Sequence, residues 1–174
     1  MFAAFLLFNR IITCITLNHG ESCVNQKIMT PEIRFYANGC PKGQPRPRAF
    51  SRGGMARVYD PGTAEGWKSQ IANAAKPHLP EAPLQGALFV GLEFYFPRPK
   101  HHFRTGKMNA CLRDSAPGYH TSKPDADNVI KAVMDALTTL RFWNDDSQVA
   151  DVRARKLYDD GRGPGCIISI KELI

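Results

Sequence analysis

The chain has 174 residues, 43% of them hydrophobic and 22% charged, which excludes an intrinsically disordered protein and suits one domain with a hydrophobic core. Its formal net charge of +7 predicts a polyanionic partner. Nucleic acid is favoured over a membrane because no basic amphipathic helix or lipidation motif is evident. Five cysteines, an odd number without a C-x-x-C pair, indicate reduced thiols in a cytoplasmic protein.

The first 28 residues differ in character from the rest of the chain. An apolar run from Phe2 to Phe8 is too short to cross a bilayer, and it lacks the basic region and cleavage pattern of a secretory signal. We therefore expect residues 1–28 to form a leader outside the domain, with translation beginning at Met29. The predicted domain covers residues 29–174.

The first half of that domain contains two predicted strands and a helix. Residues 33–37 predict a short strand, followed by a loop rich in Gly, Pro and Arg that continues through residue 54. A helix is predicted over residues 63–76, with Trp67 in the core, because apolar residues recur on one face and prolines follow. Residues 88–96 are almost wholly apolar, which favours a central strand covered on both faces.

Two loops, 38–54 and 97–123, are strongly basic. Such loops are natural contacts for a phosphate backbone, although charge runs often only face water. His101, His102 and His120 lie in the second loop, where solvated histidines are expected more often than metal ligands. The residues predicted to contact DNA are Arg46, Arg48, Arg52, Lys100, Arg104, Lys107 and Lys123.

Two acids, Asp125 and Asp127, follow Pro124 closely. Proline disfavours helical backbone at the residue before it, and an extended segment up to Asp127 would point both carboxylates to one side. We therefore predict that Asp127 lies at or near the N-cap of the helix that follows.

That helix is predicted from the apolar residues between 129 and 140, which recur at one-, three- and four-residue steps and form one stripe facing the core. Asp127, Lys131 and Asp135 follow one another at four-residue steps on the opposite side. The helix therefore carries a polar column of acid, base and acid.

Beyond the helix, residues 149–157 and 166–173 are predicted strands, joined by a hairpin turn over residues 159–165. The predicted order is β-α-β-α-β-β. This order indicates an α+β fold, in which two main helices pack on a small mixed β-sheet.

Asp145 and Asp146 lie in a turn between the helix and the next strand, from which at least one acid is able to fold back towards Asp125 and Asp127. Carboxylates gathered in this way repel one another unless a pKa rises or a cation joins them. Mg²⁺ suits that role because it is a hard ion that prefers oxygen ligands. The alternative is that the acids serve only as a cap, an i,i+4 pair with Lys131 and a turn.

The stretch from residue 123 to 151 resembles the RusA family of Holliday-junction resolvases, small endodeoxyribonucleases that are often encoded in prophages. The resemblance rests on D-x-D-N at 125–128, a lysine four residues after the second acid, D-A-L at 135–137, and F-W-x-D-D-x-Q-V-x-D at 142–151. The segment G-C-P-K-G-Q-P-R-P-R at 39–48 is similar to the opening loop of many members.

Position by position, the resemblance implies that Asp125, Asp127 and Asp146 ligate Mg²⁺. It implies that Lys131 contacts the scissile phosphate and that Asp145 is an accessory acid. It also implies a homodimer that resolves four-way DNA junctions by paired phosphodiester hydrolysis, in recombination and repair.

One residue departs from the family pattern. Members usually carry Gly just before the aromatic pair, and this chain has Arg141. Either Arg141 adopts a left-handed backbone at a cost of about 1 kcal/mol, or the helix ends differently.

Two other functions remain open from the sequence. A non-catalytic protein that recognises DNA junctions through its basic loops would bind without Mg²⁺-dependent products. A different Mg²⁺ nuclease or phosphatase, acting on linear DNA or RNA, would cleave without preferring branched DNA.

Overall fold

The computed structural model describes residues 32–45, 48–52, 55–59, 62 and 64–173, and for residues 48–52, 55–59 and 107 it describes only the backbone. The predicted leader, the start at Met29 and the DNA contact of Arg46 lie outside these residues and stay predictions. Among the described residues, no helix has both the length and the apolarity needed to cross a membrane.

A mixed four-stranded sheet carries the fold. In chain order the elements are strands β1 (Ile33–Asn38), β2 (Arg48–Arg52) and β3 (Met55–Tyr59), helix α1 (Glu65–Ala75), strand β4 (Ala87–Phe96), helix α2 (Ala126–Thr139), and strands β5 (Val149–Tyr158) and β6 (Gly165–Leu173). The sheet order is β1-β6-β4-β5. Strand β4 pairs parallel with β5, whereas β6 is antiparallel to both β4 and β1. The predicted α+β class with two main helices is confirmed.

Both helices bury apolar residues in one core. Helix α1 buries Trp67 and Ile71, so the prediction that Trp67 is a core residue is confirmed. Helix α2 buries the predicted stripe against the same cluster, and Leu88, Val90, Leu92, Phe94, Ile168 and Ile170 supply the sheet side. Burial of a stripe this long, at roughly 1.5–3 kcal/mol for each large side chain, fixes the position of α2 and both of its ends.

Helix α2 ends in a Schellman motif at Arg141, whose φ is +61°. The Arg141 N–H donates to the Thr138 carbonyl at 3.0 Å, and the Phe142 N–H donates to the Leu137 carbonyl at 3.2 Å. These two bonds satisfy carbonyls that the end of the helix would otherwise leave unpaired. The left-handed alternative predicted for Arg141 is therefore confirmed. The turn directs Phe142 and Trp143 into the core, where both are fully buried.

The loop predicted over residues 38–54 is partly wrong, because β2 and β3 form an additional antiparallel hairpin. The observed order is therefore β-β-β-α-β-α-β-β. Glycine, proline and arginine dominate this segment, and its short strands lack the apolar alternation by which strands are normally recognised.

The hairpin predicted between β5 and β6 is also wrong. The two strands lie on opposite sides of β4, and their connection passes the end of β4, where the Asp159 N–H donates to the Phe96 carbonyl at 2.8 Å. The turn residues were recognised correctly, but turn chemistry specifies a chain reversal and not the strand that becomes the partner.

The second face of β4 is less covered than predicted. Phe89, Gly91 and Glu93 are only half-buried, and they line an open depression of about 300 Å³. Arg155 spans part of it with an ion pair to Glu93 at 2.8 Å. Both helices therefore pack on one face of the sheet, and charged side chains cover part of the other.

We expect Arg141→Gly to raise the free energy of unfolding by about 1 kcal/mol, because glycine adopts a positive φ without a Cβ clash. Ser69→Gly, at an exposed position in the middle of α1, provides the matched control and should lower it by about 0.5 kcal/mol. Urea denaturation of the three proteins measures both changes. A loss of stability in Arg141→Gly would contradict the assigned backbone strain.

Candidate active site

The two acids of the D-x-D motif lie at the N-terminus of α2. Asp125 is the N-cap, with an extended backbone (φ −68°, ψ 152°), and Asp127 lies in the first turn. Asp127 thus lies near the N-cap, as predicted, but the chain is not extended up to Asp127, because the helix already begins at Ala126. Pro124 restricts the residue before it rather than those after it, so it does not delay the start of the helix. The Asp125 carboxylate accepts no capping hydrogen bond.

The opening loop packs directly on this turn. The Gln44 N–H donates to the Asn128 carbonyl at 2.8 Å. A Cβ on Gly43 would lie 2.9 Å from the Asn128 Cβ and 3.1 Å from the Pro124 Cβ, so only glycine allows this close approach. The similarity of this loop to the family's opening loop thus corresponds to a contact with the acidic turn.

Strand β5 supports the same turn from another direction. The Lys156 Nζ donates to the carbonyls of Ser122 at 2.7 Å and Pro124 at 2.5 Å, and therefore holds the backbone that enters Asp125. Lys156 was not among the predicted site residues. Its position depends on the pairing of β5 with β4, where Lys156 is in register with Phe94, and no local sequence pattern indicates that pairing.

Lys131 is one turn further along α2 and pairs with Asp135 at 3.0 Å. Asp135 also pairs with Lys68 of α1 at 3.4 Å. The Lys131 side chain is still 62% exposed, which leaves its ammonium accessible to a phosphate.

Asp145 and Asp146 behave differently from each other. Asp145 caps the short 3₁₀ turn over Asp146–Gln148 by accepting from the Ser147 N–H at 2.8 Å, and the hydrogen bonds from Ser147 lower the pKa of its carboxyl. Asp146 Oδ1 accepts from the Thr138 hydroxyl and from the Trp143 indole N–H, the latter at 3.1 Å.

The structure does not gather the three predicted metal ligands within one chain. Asp146 is bonded to Thr138 at the C-terminal end of α2, eleven residues beyond Asp127, which corresponds to about 16 Å along a helix. Among the described residues, no three His, Cys, Asp or Glu side chains are close enough to share a metal ion. Asp125 and Asp127 lie at one end of the helix, and Asp146 lies at the other.

Two of the three loop histidines are structural rather than solvated, which corrects the prediction. His102 is buried against Tyr158, and burial lowers its pKa, with His101 and Arg98 lowering it further. His120 stacks on Phe96 with ring centroids 4.0 Å apart, and burial together with the charge of Lys156 lowers its pKa. The aromatic packing anchors the 97–123 segment to the ends of β4 and β5.

The residues predicted to contact DNA differ in how exposed their side chains are. Lys100 and Lys123 are exposed, whereas Arg104 is held by Asp114 at 2.8 Å and by the Leu112 carbonyl at 3.2 Å. The side chains of Arg48, Arg52 and Lys107 lie outside the described residues. The DNA contacts stay predictions.

The similarity to known proteins extends over most of the predicted domain. The model of the family Endodeoxyribonuclease RusA matches residues 38–171. An uncharacterized protein, YqaN of Bacillus subtilis (strain 168), is 35% identical over 133 residues, which cover 74% of this chain and 89% of YqaN. The crossover junction endodeoxyribonuclease RusA of Lactococcus phage r1t is 43% identical over 42 residues, which cover 24% of this chain and 32% of the phage protein. With its D-x-D turn and opening loop inside the matched region, the chain belongs to the RusA family of endodeoxyribonucleases.

Proposed function

We propose that this endonuclease resolves four-way DNA junctions by paired, Mg²⁺-dependent phosphodiester hydrolysis during recombination and repair. The observation that carries the proposal is the turn at Asp125 and Asp127, which lies inside the family match and is buttressed on two sides by the opening loop and by Lys156. The name of the phage relative, a crossover junction endodeoxyribonuclease, supports the choice of branched DNA as substrate.

Asp125 and Asp127 are the residues that would hold Mg²⁺. Two carboxylates suit this ion, which protein sites commonly bind through one or two carboxylates together with substrate phosphate and water, and the Asp125 carboxylate is not engaged as a helix cap. When bound there, Mg²⁺ would supply activation of a water and neutralisation of charge on the phosphate.

The protein's own groups position the phosphate. The dipole of α2 and the direction of its first N–H groups favour an anion at its N-terminus. The exposed ammonium of Lys131, one turn away, offsets negative charge that develops during the reaction. Lys123 precedes the turn and is exposed, which suits contact with the neighbouring backbone of the DNA.

The net charge of +7 supports binding to the phosphate backbone of DNA. It predicts that the affinity for DNA falls steeply as the salt concentration rises. Backbone contacts position a duplex without reading its sequence. A four-way junction has two-fold symmetry and needs two matched nicks, so two copies of the chain with two active sites form the simplest enzyme.

Asp127→Asn should lower the rate of junction cleavage by at least about 100-fold, since removal of a charged group that stabilises the reacting centre typically has this effect. Junction affinity should stay unchanged or increase, because the variant repels phosphate less. The assay compares a mobile four-way junction with a linear duplex of the same sequence, in Mg²⁺ or in EDTA.

Asp160→Asn is the matched control, because Asp160 is an exposed acid that pairs with Arg162 in the β5–β6 connection. It should cleave at the wild-type rate. Paired nicks confined to the junction, and lost in EDTA and in Asp127→Asn, are the expected result. Tight binding without any product from the wild type would instead identify a non-catalytic junction-binding protein, and equal cleavage of the linear duplex would identify a different nuclease.

Lys156→Met should lower the cleavage rate by roughly tenfold while leaving junction affinity within about twofold, because a misplaced catalytic group costs rate more than binding. Lys171→Met is the control, because it removes the same charge from a side chain whose ion pair, to Glu32 at 3.3 Å, is peripheral. Single-turnover cleavage and a gel-shift titration separate the two quantities. A parallel loss of affinity in Lys156→Met would show that this lysine contacts DNA rather than supporting the Asp125 turn.

A further inference from the structure

The face of the sheet opposite the helices carries a row of two small residues between two arginines. Arg34 on β1 is in register with Ser169 on β6. Ser169 pairs in turn with Gly91 on β4, and Gly91 pairs with Arg153 on β5. The row crosses all four strands, which is three strand spacings or about 14 Å. It lies in the open depression of about 300 Å³, and we call the row and this depression the arginine trough.

The floor of the arginine trough is low because Gly91 has no side chain. A Cβ at this position would lie 3.3 Å from the ring of Phe89 and 3.5 Å from the Cβ of Ser169. The ring of Phe89 therefore reaches over the glycine backbone, and Phe89 is only half-buried. The trough thus offers part of an aromatic ring to a ligand.

Exposed guanidinium groups border this ring. The Cζ of Arg153 lies 5.5 Å from the centroid of the Phe89 ring, within the range of a cation–π contact. The Arg153 side chain is 76% exposed and pairs with Asp151 at 3.2 Å, and exposed ion pairs of this kind contribute little stability. Arg34 is exposed and forms no ion pair with any residue in the described part of the chain. Both arginines are therefore accessible to an anion.

The acids of the trough are already engaged by other side chains. Glu93 pairs with Arg155 at 2.8 Å and accepts from the Tyr95 hydroxyl at 3.0 Å. Glu32 pairs with Lys171 at 3.3 Å. Four basic side chains and two acids line the trough, so its surface has an excess of positive charge. This excess favours an anionic ligand.

We propose that the arginine trough binds single-stranded DNA, with a base stacked on Phe89 and phosphates of the strand at Arg34 and Arg153. Single strands are bound by basic grooves that follow the backbone and by aromatic side chains on which bases stack. Open four-stranded sheets bind single-stranded RNA in this way. A duplex would present only its phosphates to the trough, because its bases are already stacked and paired. An acidic peptide would engage the arginines without requiring an aromatic ring.

The trough is separate from the proposed catalytic site but lies beside it. Successive residues of β5 point to opposite faces of the sheet. Lys156 donates to the Pro124 carbonyl next to Asp125, whereas its neighbour Arg155 pairs with Glu93 in the trough. The edge strand β5 therefore serves both sites, and an unpaired strand bound in the trough would be held close to the catalytic turn. Binding there does not depend on the catalytic acids.

Fluorescence anisotropy tests the role of the ring. A labelled oligothymidylate of about 15 nucleotides is titrated with protein in EDTA, so that no cleavage takes place. Phe89→Leu should weaken the affinity roughly tenfold, because a base loses its stacking partner. Phe89→Tyr keeps a ring and should bind within about twofold of wild type. Equal affinity of Phe89→Leu and wild type would overturn the proposal.

Arg34→Gln tests the charge of the trough independently of the ring. The slope of the logarithm of the binding constant against the logarithm of the salt concentration should fall in magnitude by about 0.7, the contribution of one phosphate contact to a single strand. Lys76→Gln is the control, because it removes an exposed cation that follows α1, outside the trough, and it should leave the slope unchanged. Equal slopes for Arg34→Gln and wild type would contradict the phosphate contact.

Photo-crosslinking locates the bound strand. An oligonucleotide that carries a photoreactive thymine analogue should attach to the peptide containing Phe89, and crosslinks confined to loops 38–54 and 97–123 would overturn the proposal. Displacement by polyglutamate as strong as by unlabelled oligothymidylate would instead identify an acidic protein segment as the ligand. Altered sedimentation of Phe89→Leu would identify this face as a contact between copies. None of these measurements requires cleavage, so failure of the trough proposal and failure of the proposed junction cleavage are distinguishable.

Discussion

The burial of one stripe of α2 against the sheet is the constraint on which the rest of the molecule depends. It fixes the helix along its whole length, and it thereby fixes two chemically different ends. The N-terminal end presents Asp125 and Asp127 beside the opening loop. The C-terminal end presents Asp146, which accepts hydrogen bonds from Thr138 and Trp143. A helix held this firmly cannot bend its two ends together, so Asp146 stays apart from Asp125 and Asp127 within one chain.

The features that could be predicted from the sequence are those that depend on local patterns. The apolar stripe of α2 and the apolar runs of β4 and β6 specify their own secondary structure, because each buries one long, regular surface. The N-cap of α2 was predicted at or near Asp127 and is Asp125 in the structure. The difference came from treating Pro124 as a constraint on the residues after it. Arg141 was recognised as a conflict between sequence and backbone, and the structure resolves it through a complete Schellman motif.

The features that could not be predicted from the sequence depend on contacts between residues far apart in the chain. Lys156 acts through two carbonyls more than thirty residues away in the chain, and no local pattern identifies such a contact. His102 and His120 lie in a polar, basic segment, yet His102 is buried against Tyr158 and the half-buried His120 stacks on Phe96. The separation of Asp146 from Asp127 follows from the length of α2, whereas the sequence motif alone suggested three acids in one place.

The order of strands in the sheet also constrains how the protein is made. Within that sheet β1, near the start of the described chain, pairs only with β6, and β6 also separates β1 from β4. The sheet therefore cannot close until the last strand has left the ribosome, and pairings between such distant segments form slowly. A ribosome-bound chain that still lacks β6 has its acidic helix but no finished platform beneath it. Nuclease activity consequently becomes available only when β6 has joined the sheet.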